Sequence, residues 1–532
     1  MSQTRTRGAR LLDALERAGN RLPHPVTLFI LATALVLVLS HVGQALGWSA
    51  SAEGLTAAGE DEPAAAAVRS LLDRDGLYHA LSSVVDNFIE FPPLGVVLVG
   101  MLGVGVAERT GLIGAALRVG ARGMPGILLT PAMVLLGILS SVGMDAGYVV
   151  LPPLAAALYR ALGRSPLAGL AAAFAGISAG FSANLSLTAL DPVLAGLTES
   201  AARILDPDYR VSPAANWAFM AVSTVVITLV GWLVTARYVE PRLRARAPDA
   251  GGPPGEAATG PEGAETMALA ADERRGLIRA GWTLAAVLAA IAALVLIPGA
   301  PLESWHSGAG EEAGFARWVE AIVPLIFLAF LLPGLAYGTT RGTIRSGDDL
   351  ARVLSDTLAQ LAPILVLFFF AAQFIGYFEY TRLGEVLALA GGDLLARLEL
   401  GPSLLMSAVV LLTAAFNLVI GSMSAKYALI APILVPVLMG VGISPELTQA
   451  AYRIGDSVSN VITPLNPYFV LLLGVMQHYA PRLGIGTLIA TMLPYSLAFL
   501  AAWLVLLLAW IGLGLPLGPD GGLEYAAGSG RG

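Results

Sequence analysis

The chain has 532 residues, of which 56% are apolar and 13% charged, with a mean hydropathy of +0.74. A soluble core cannot hide that much apolar surface, so the composition is that of a polytopic membrane protein. Cysteine is absent, which excludes disulfides, thiolate metal sites and a Cys nucleophile, and a net charge of −7 carries no nucleic-acid signal.

Residues 1–24 are polar and basic (Arg5, Arg7, Arg10) and form a cytoplasmic N-terminal segment. The apolar run 25–48 is long enough to span, which takes about 20 residues, and lacks the pattern of a cleaved signal. The loop 49–87 is acidic, with Glu53, Glu60, Asp61, Glu62, Asp73 and Asp75. A second span, 88–107, ends at Arg109, with Arg118 and Arg122 beyond it. Arginine placement puts the N-terminus inside and the acidic loop outside. Over 124–160, two short apolar arms flank SSVGMDAG, and both outer ends carry arginine (Arg122, Arg160, Arg164). This predicts a re-entrant hairpin with Ser140, Ser141 and Asp145 at its tip. Residues 166–194 cross once but are interrupted by SANLSLTALDP, the chemistry of an unwound helix. A span at 214–236 closes a first half, 25–238, and leads to Arg237, Arg242, Arg244 and Arg246 on the inside.

The segment 239–279 is a cytoplasmic linker, rich in Gly, Pro, Ala and Glu between 248 and 267. The second half, 280–512, has spans at 280–298, 318–337 and 358–378 and a surface helix at 384–400. A hairpin at 403–440, a broken span at 446–467 and a span at 487–512 complete it, before a tail at 513–532. The expected fold is all-α, with about nine transmembrane helices and two re-entrant hairpins.

The polar centre of the second half is 421–467, where Lys426, Arg453 and Asp456 lie among Ser, Thr, Asn, Gly and Pro. A charged side chain at mid-bilayer costs about 2.5–3.5 kcal/mol, so protein or water must surround these three. The same stretch occurs earlier in the chain. Met144, Ala146, Tyr148 and Pro153 match Met423, Ala425, Tyr427 and Pro432 without a gap. Ser165-Pro166 pairs with Ser444-Pro445, Gly176-x-Ser178 with Gly455-x-Ser457, TALDP (188–192) with TPLNP (463–467), and ERTGL (108–112) with EYTRL (379–383). The matched unit begins inside at Glu108 and outside at Glu379, which makes the copies inverted. Inverted repeats, broken helices and hairpins together indicate a secondary transporter rather than an enzyme.

The chain resembles the p-aminobenzoyl-glutamate transporter (AbgT) family, in GMLGVGVAERTGL (100–112), GRSPLAGLAAAFAG (163–176), GFSANL (180–185), DPVLAGLT (191–198) and TQAAYRIGDSVSNVITPLNPYF (448–469) among other stretches. The resemblance implies a homodimer in the bacterial inner membrane, in contact with lipid, that moves p-aminobenzoyl-glutamate or related folate fragments with an ion gradient. Some members look like proton-driven sulfonamide exporters. Matched by motif, the family's functional positions fall on Asp191, Ser424, Tyr427, Pro445, Arg453 and Asp456. Where the family commonly has Trp after SAK, this chain has Tyr427.

For such an aromatic carboxylate, Arg453 offers a planar fork for bidentate pairing. The alternative is a structural pair with Asp456, three residues on and on the same helical face. Lys426 is a second cation, either for substrate or to neutralise Asp145 or hairpin carbonyls. Tyr427 either stacks on the substrate ring or packs. Asp191 and Asp456 are candidates for proton coupling; with Asn184, Thr188, Asn460 and Thr463 they could instead be oxygen ligands of Na⁺, at a site around Asn184 and Asn460. The coupling ion, H⁺ or Na⁺, stays open, and no cofactor is expected. Asn466 holds the place in the second copy that Asp191 holds in the first. With Arg453 close in sequence to Asp456 and no cation close to Asp191, Asp456 is the expected fixed partner and Asp191 the proton carrier. A passive channel is an alternative, although no ring of acids suggests a filter. An intramembrane aspartyl protease is another, from the faint likeness of IGDS (454–457) to a Gly-x-Gly-Asp motif.

Overall fold

The structure, a computed structural model, describes residues 25–525 apart from 57–62, 122–125, 127, 142–145, 189, 249–251, 254–268, 303–316, 419, 421, 464–465, 467 and 482. The N-terminal segment, most of the linker 248–267 and the hairpin-tip Asp145 lie outside the described residues.

The first half contains α1 (Pro25–Leu46), β1 (Ser49–Thr56), β2 (Pro63–Ala67), α2 (Arg74–Ser82), α3 (Val84–Ile89), α4 (Pro92–Arg109), α5 (Leu112–Ala121), α6 (Leu129–Ser140), α7 (Ala146–Ala161), α8 (Pro166–Phe174), α9 (Leu190–Ala202), α10 (Trp217–Val234) and α11 (Glu240–Arg244). The second contains α12 (Ala271–Leu296), α13 (Arg317–Glu320), α14 (Ile322–Arg341), α15 (Gly347–Tyr380), α16 (Leu383–Arg397), α17 (Pro402–Asn417), α18 (Met423–Met439), α19 (Pro445–Ser459), α20 (Tyr468–Tyr479) and α21 (Ile485–Gly512). Among the described residues six helices are each long and apolar enough to cross a membrane, and α4 with α5, bent by 63°, makes a seventh. Seven of the nine spans expected from the sequence fall on these; the remaining two, 166–194 and 446–467, are not single helices. The molecule is a multi-pass membrane protein.

Three elements depart from the expected outline. The acidic loop carries the antiparallel ribbon β1–β2, with Ser49 opposite Ala67, packed against α16. Ala, Ser and Gly are poor strand formers, so a distant helix rather than local preference fixes this pairing. The span expected at 358–378 begins at Gly347, because Ser346 Oγ accepts the Asp349 N–H at 3.2 Å and two acids occupy the first turn. The short helix α20 was not expected, and it stops just before Pro481, as helices usually do ahead of proline.

The repeated motifs acquire physical reasons. Ser165 and Ser444 are the N-caps of α8 and α19, each followed by proline at the first helical position, where its missing N–H is no loss. At Gly176 an added Cβ would lie 2.2 Å from the Val134 carbonyl oxygen of α6, and at Gly455 it would lie 2.3 Å from the Val410 carbonyl oxygen of α17. At both places glycine lets a buried helical turn press on its neighbour, α6 or α17. The serines two residues on reach across: Ser457 Oγ is 2.7 Å from Ser182 Oγ, and Ser178 Oγ accepts from Asn466 Nδ2 at 3.0 Å. One buried apolar cluster runs through both halves, from Leu117 to Leu517.

Two clasps hold the ends of this core. At one, Glu240 accepts two bonds from Arg164 (2.8 and 2.6 Å) and one from Arg244 (2.9 Å), while Arg164 also reaches Thr130 Oγ1 at 2.9 Å. The guanidinium lies 4.1 Å over the Tyr159 ring, and Tyr159 bonds Thr130 at 2.6 Å. The clasp joins α6, α7, the turn before α8, and α11. Removing one member of a buried pair leaves the other charge uncompensated, at about 3–5 kcal/mol. Glu240→Ala is therefore expected to lower the thermal midpoint of the detergent-solubilised protein sharply, and an unchanged midpoint would refute a structural role. At the other end, the segment after α21 folds back: Leu517 O accepts the Phe219 N–H at 2.9 Å, and Ser444 is held by Leu523 O and Gly522 O at 3.1 and 2.7 Å.

Candidate functional site

Every residue of α19 is buried, although it carries Glu446, Gln449, Arg453 and Asp456. The helix ends at Asn460, where the chain unwinds through Thr463 and Asn466 before α20. In the first half the chain unwinds likewise through Ser182, Asn184 and Thr188 before α9. The two breaks and α18 enclose two ion pairs.

In the first pair, Arg453 Nη1 donates to Asp191 Oδ1 at 2.5 Å, and Arg453 Nη2 donates to the Ser182 carbonyl at 3.2 Å. The other carboxylate oxygen accepts the Thr188 N–H and Oγ1–H at 2.6 and 2.8 Å, so the acid in the first turn of α9 reaches back to the chain break. Asp191 is 6% and Arg453 3% exposed, and Arg453 Nε is buried with no partner. In the second pair, Lys426 Nζ lies 2.6 Å from Asp456 Oδ1 and donates to Asn417 Oδ1 at 2.6 Å. Asn417 Nδ2 in turn meets the Asp456 carbonyl, Ser459 Oγ and Asn460 Oδ1 at 2.7, 3.0 and 2.8 Å. Asp456 Oδ2 receives no hydrogen bond.

These pairings correct the assignments made from sequence spacing. Arg453 does not pair with Asp456 on its own helix: α9 presents Asp191 to Arg453, and α18 presents Lys426 to Asp456. Asp191 is therefore not the acid without a cation. The other candidates are distributed as follows. Tyr427 is fully buried, its ring centroid 4.3 Å from that of Tyr452 and its hydroxyl 2.8 Å from Thr198 Oγ1. Ser424 is half-buried in the first turn of α18, and Pro445 opens α19. Asn184 donates to Ser141 Oγ at 2.7 Å, and Asn460 Oδ1 accepts from Asn417 Nδ2 at 2.8 Å. Asn466 donates to Ser178 and to the Asn460 carbonyl, and Thr463 is buried within the second break. Among the described residues no group of three or more His, Asp or Glu could hold a metal.

Sequence reasoning missed Asn417, Thr198, Gln449 and Asn216. Asn417 could have been noticed as a lone amide in the apolar run TAAFNLVI. Gln449 lies one helical turn before Arg453, hence on its face.

The comparisons match this architecture. A model of the AbgT putative transporter family matches residues 10–525. The chain is 34% identical, over 97% of its length and 97% of the relative's, to the p-aminobenzoyl-glutamate transport protein of Escherichia coli (strain K12). It is similar to the Alcanivorax borkumensis YdaH transporter, whose crystal structure is described as having an unusual topology (TM-score 0.85, 43% identity, 93% of this chain and 100% of that one). It is similar also to Neisseria gonorrhoeae MtrF, described as illuminating a class of antimetabolite efflux pumps (TM-score 0.87, 44% identity, 96% of this chain and 100% of that one). With its family model spanning nearly the whole chain, this protein is a multi-pass transporter of the bacterial inner membrane and belongs to the AbgT family.

Proposed function

We propose that the protein is an ion-gradient-coupled secondary transporter of p-aminobenzoyl-glutamate or a related aromatic carboxylate. The observation that carries this reading is Arg453, a buried guanidinium between the two chain breaks, paired with an acid from the other half and keeping an unused N–H. A substrate carboxylate is a natural second partner for that fork. Asp191 and the substrate are then alternative anions for one cation. When substrate takes Arg453, Asp191 is left buried without its counter-ion, and taking up a proton removes the penalty. Protonation and binding of an anionic substrate reinforce each other in this scheme. Lys426 Nζ already neutralises Asp456 through Oδ1, so a second cation there would meet a like charge, which favours H⁺ over Na⁺ as the coupling ion.

Uptake into proteoliposomes with and without an imposed proton gradient tests the proposal: accumulation above equilibrium is expected only with the gradient. Equilibration alone would mean a passive channel. The protease reading loses support because Asp191 and Asp456 belong to separate ion pairs instead of sharing one proton. The efflux described for MtrF suggests sulfonamides as a further substrate class, to be tried as competitors in the same assay.

The proposed topology has the N-terminus and the 239–279 linker in the cytoplasm, and the 49–87 loop and 513–532 tail outside. A cysteine placed at 255 in the cysteine-free chain should resist labelling from outside intact cells, and labelling there would overturn the orientation. We also propose a homodimer, to be checked by the mass of the detergent-solubilised particle.

A further inference from the structure

Helix α10 is preceded by Asn216, a residue type favoured at that position because its side-chain oxygen accepts an N–H from the first turn. Here it caps nothing. The Phe219 N–H it could serve is taken by the Leu517 carbonyl at 2.9 Å. The Asn216 side chain turns the other way: Nδ2 donates to Gln449 Oε1, and Oδ1 has no partner in a residue that is 2% exposed.

Thr198 fixes which way these amides point. Its one hydroxyl hydrogen goes to the Leu194 carbonyl at 2.7 Å. Its oxygen can then only accept, from Gln449 Nε2 at 2.8 Å and from the Tyr427 hydroxyl at 2.8 Å. Gln449 accordingly turns its own oxygen toward Asn216, and Asn216 must answer with its NH₂ group. What remains at the end of this chain is a buried acceptor lacking a donor, and such orphans are rare because they are costly. Gln449 and Arg453 share a face of α19, separated by about 6 Å along the axis. A row therefore runs from a cation with a spare N–H, past an amide, to an orphan acceptor.

We propose that Asn216 Oδ1 accepts an N–H from the arylamine of the ligand whose carboxylate Arg453 holds. Asn216 is then a specificity-determining residue, with Gln449 and Thr198 as positioning residues. This rests on the Arg453 reading above. It also gives Tyr427 a defined part: its hydroxyl supplies the third bond at Thr198, which a Phe could not do.

The test compares p-aminobenzoyl-glutamate with benzoyl-glutamate, two ligands that differ only in the amino group, by binding to the purified full-length protein. Wild type should prefer the amino compound about tenfold, the worth of one buried hydrogen bond. Asn216→Leu should bring the two affinities together while benzoyl-glutamate still binds. An indifferent wild type, or a Leu variant that keeps the preference, would overturn the proposal. Arg453→Ala should weaken both ligands alike. If it weakens neither, the Arg453 reading fails, and the Asn216 result still stands or falls by the ratio.

Discussion

Arg453→Ala is expected to abolish binding of p-aminobenzoyl-glutamate, and Arg453→Lys to restore little of it. Lysine offers a point charge on a flexible stem, and it cannot hold Asp191, the Ser182 carbonyl and a ligand carboxylate in fixed directions as the guanidinium does. The alanine variant has a second defect. It leaves Asp191 buried without its cation, which typically costs about 3–5 kcal/mol. Loss of binding could then reflect loss of fold, so the decisive protein is the double variant Arg453→Ala/Asp191→Asn. With both charges gone its thermal midpoint should recover toward wild type, because the two residues touch and their effects are coupled. Binding, measured by calorimetry, should stay lost. A double variant that binds substrate, or a lysine variant that binds normally, would remove Arg453 from the role assigned to it.

The second large effect is expected at Asp191. Asp191→Asn should still bind substrate, since Arg453 is then free of its internal competitor, but gradient-driven accumulation in proteoliposomes should disappear. The pH dependence carries the sign. If binding of an anionic substrate is coupled to proton uptake at this pair, binding to wild type should tighten as pH falls, and binding to Asp191→Asn should lose that dependence. Asp456→Asn should behave differently, weakening binding because Lys426 loses its anion and α18 its tie to α19. Normal accumulation by Asp191→Asn, or wild-type binding that weakens in acid, would rule the assignment out. Sodium dependence of the wild type would return attention to the oxygen atoms around Asp456.

Much of the fold was legible in the sequence. Apolar runs of spanning length are hard to mistake, and the motif pairs at Ser165-Pro166 and Ser444-Pro445 mark real helix starts. The breaks at SANLSLTALDP and after Asn460 fall where the helices stop. The ribbon β1–β2 was not legible, because its Ala- and Ser-rich strands are held by contact with α16. At the site, the residue types were readable and their partners were not. Spacing along one helix suggested Arg453 with Asp456, but at membrane depth a charge takes whichever partner the tertiary packing offers. Here that packing crosses the halves for Arg453 and joins α18 to α19 for Asp456. Asn216 was invisible for a related reason: an Asn before a helix is ordinary, and only the carbonyl that displaces it as a cap makes it unusual.

That carbonyl belongs to Leu517, in the segment that also holds Ser444 at the start of α19. These residues leave the ribosome after the last of the described helices has been made. Until then α10 lacks its cap and the corner ahead of the buried polar helix is untethered, however many spans are already in the bilayer. A chain cut after Gly512 would keep the described membrane helices while losing the tethers at the starts of α10 and α19.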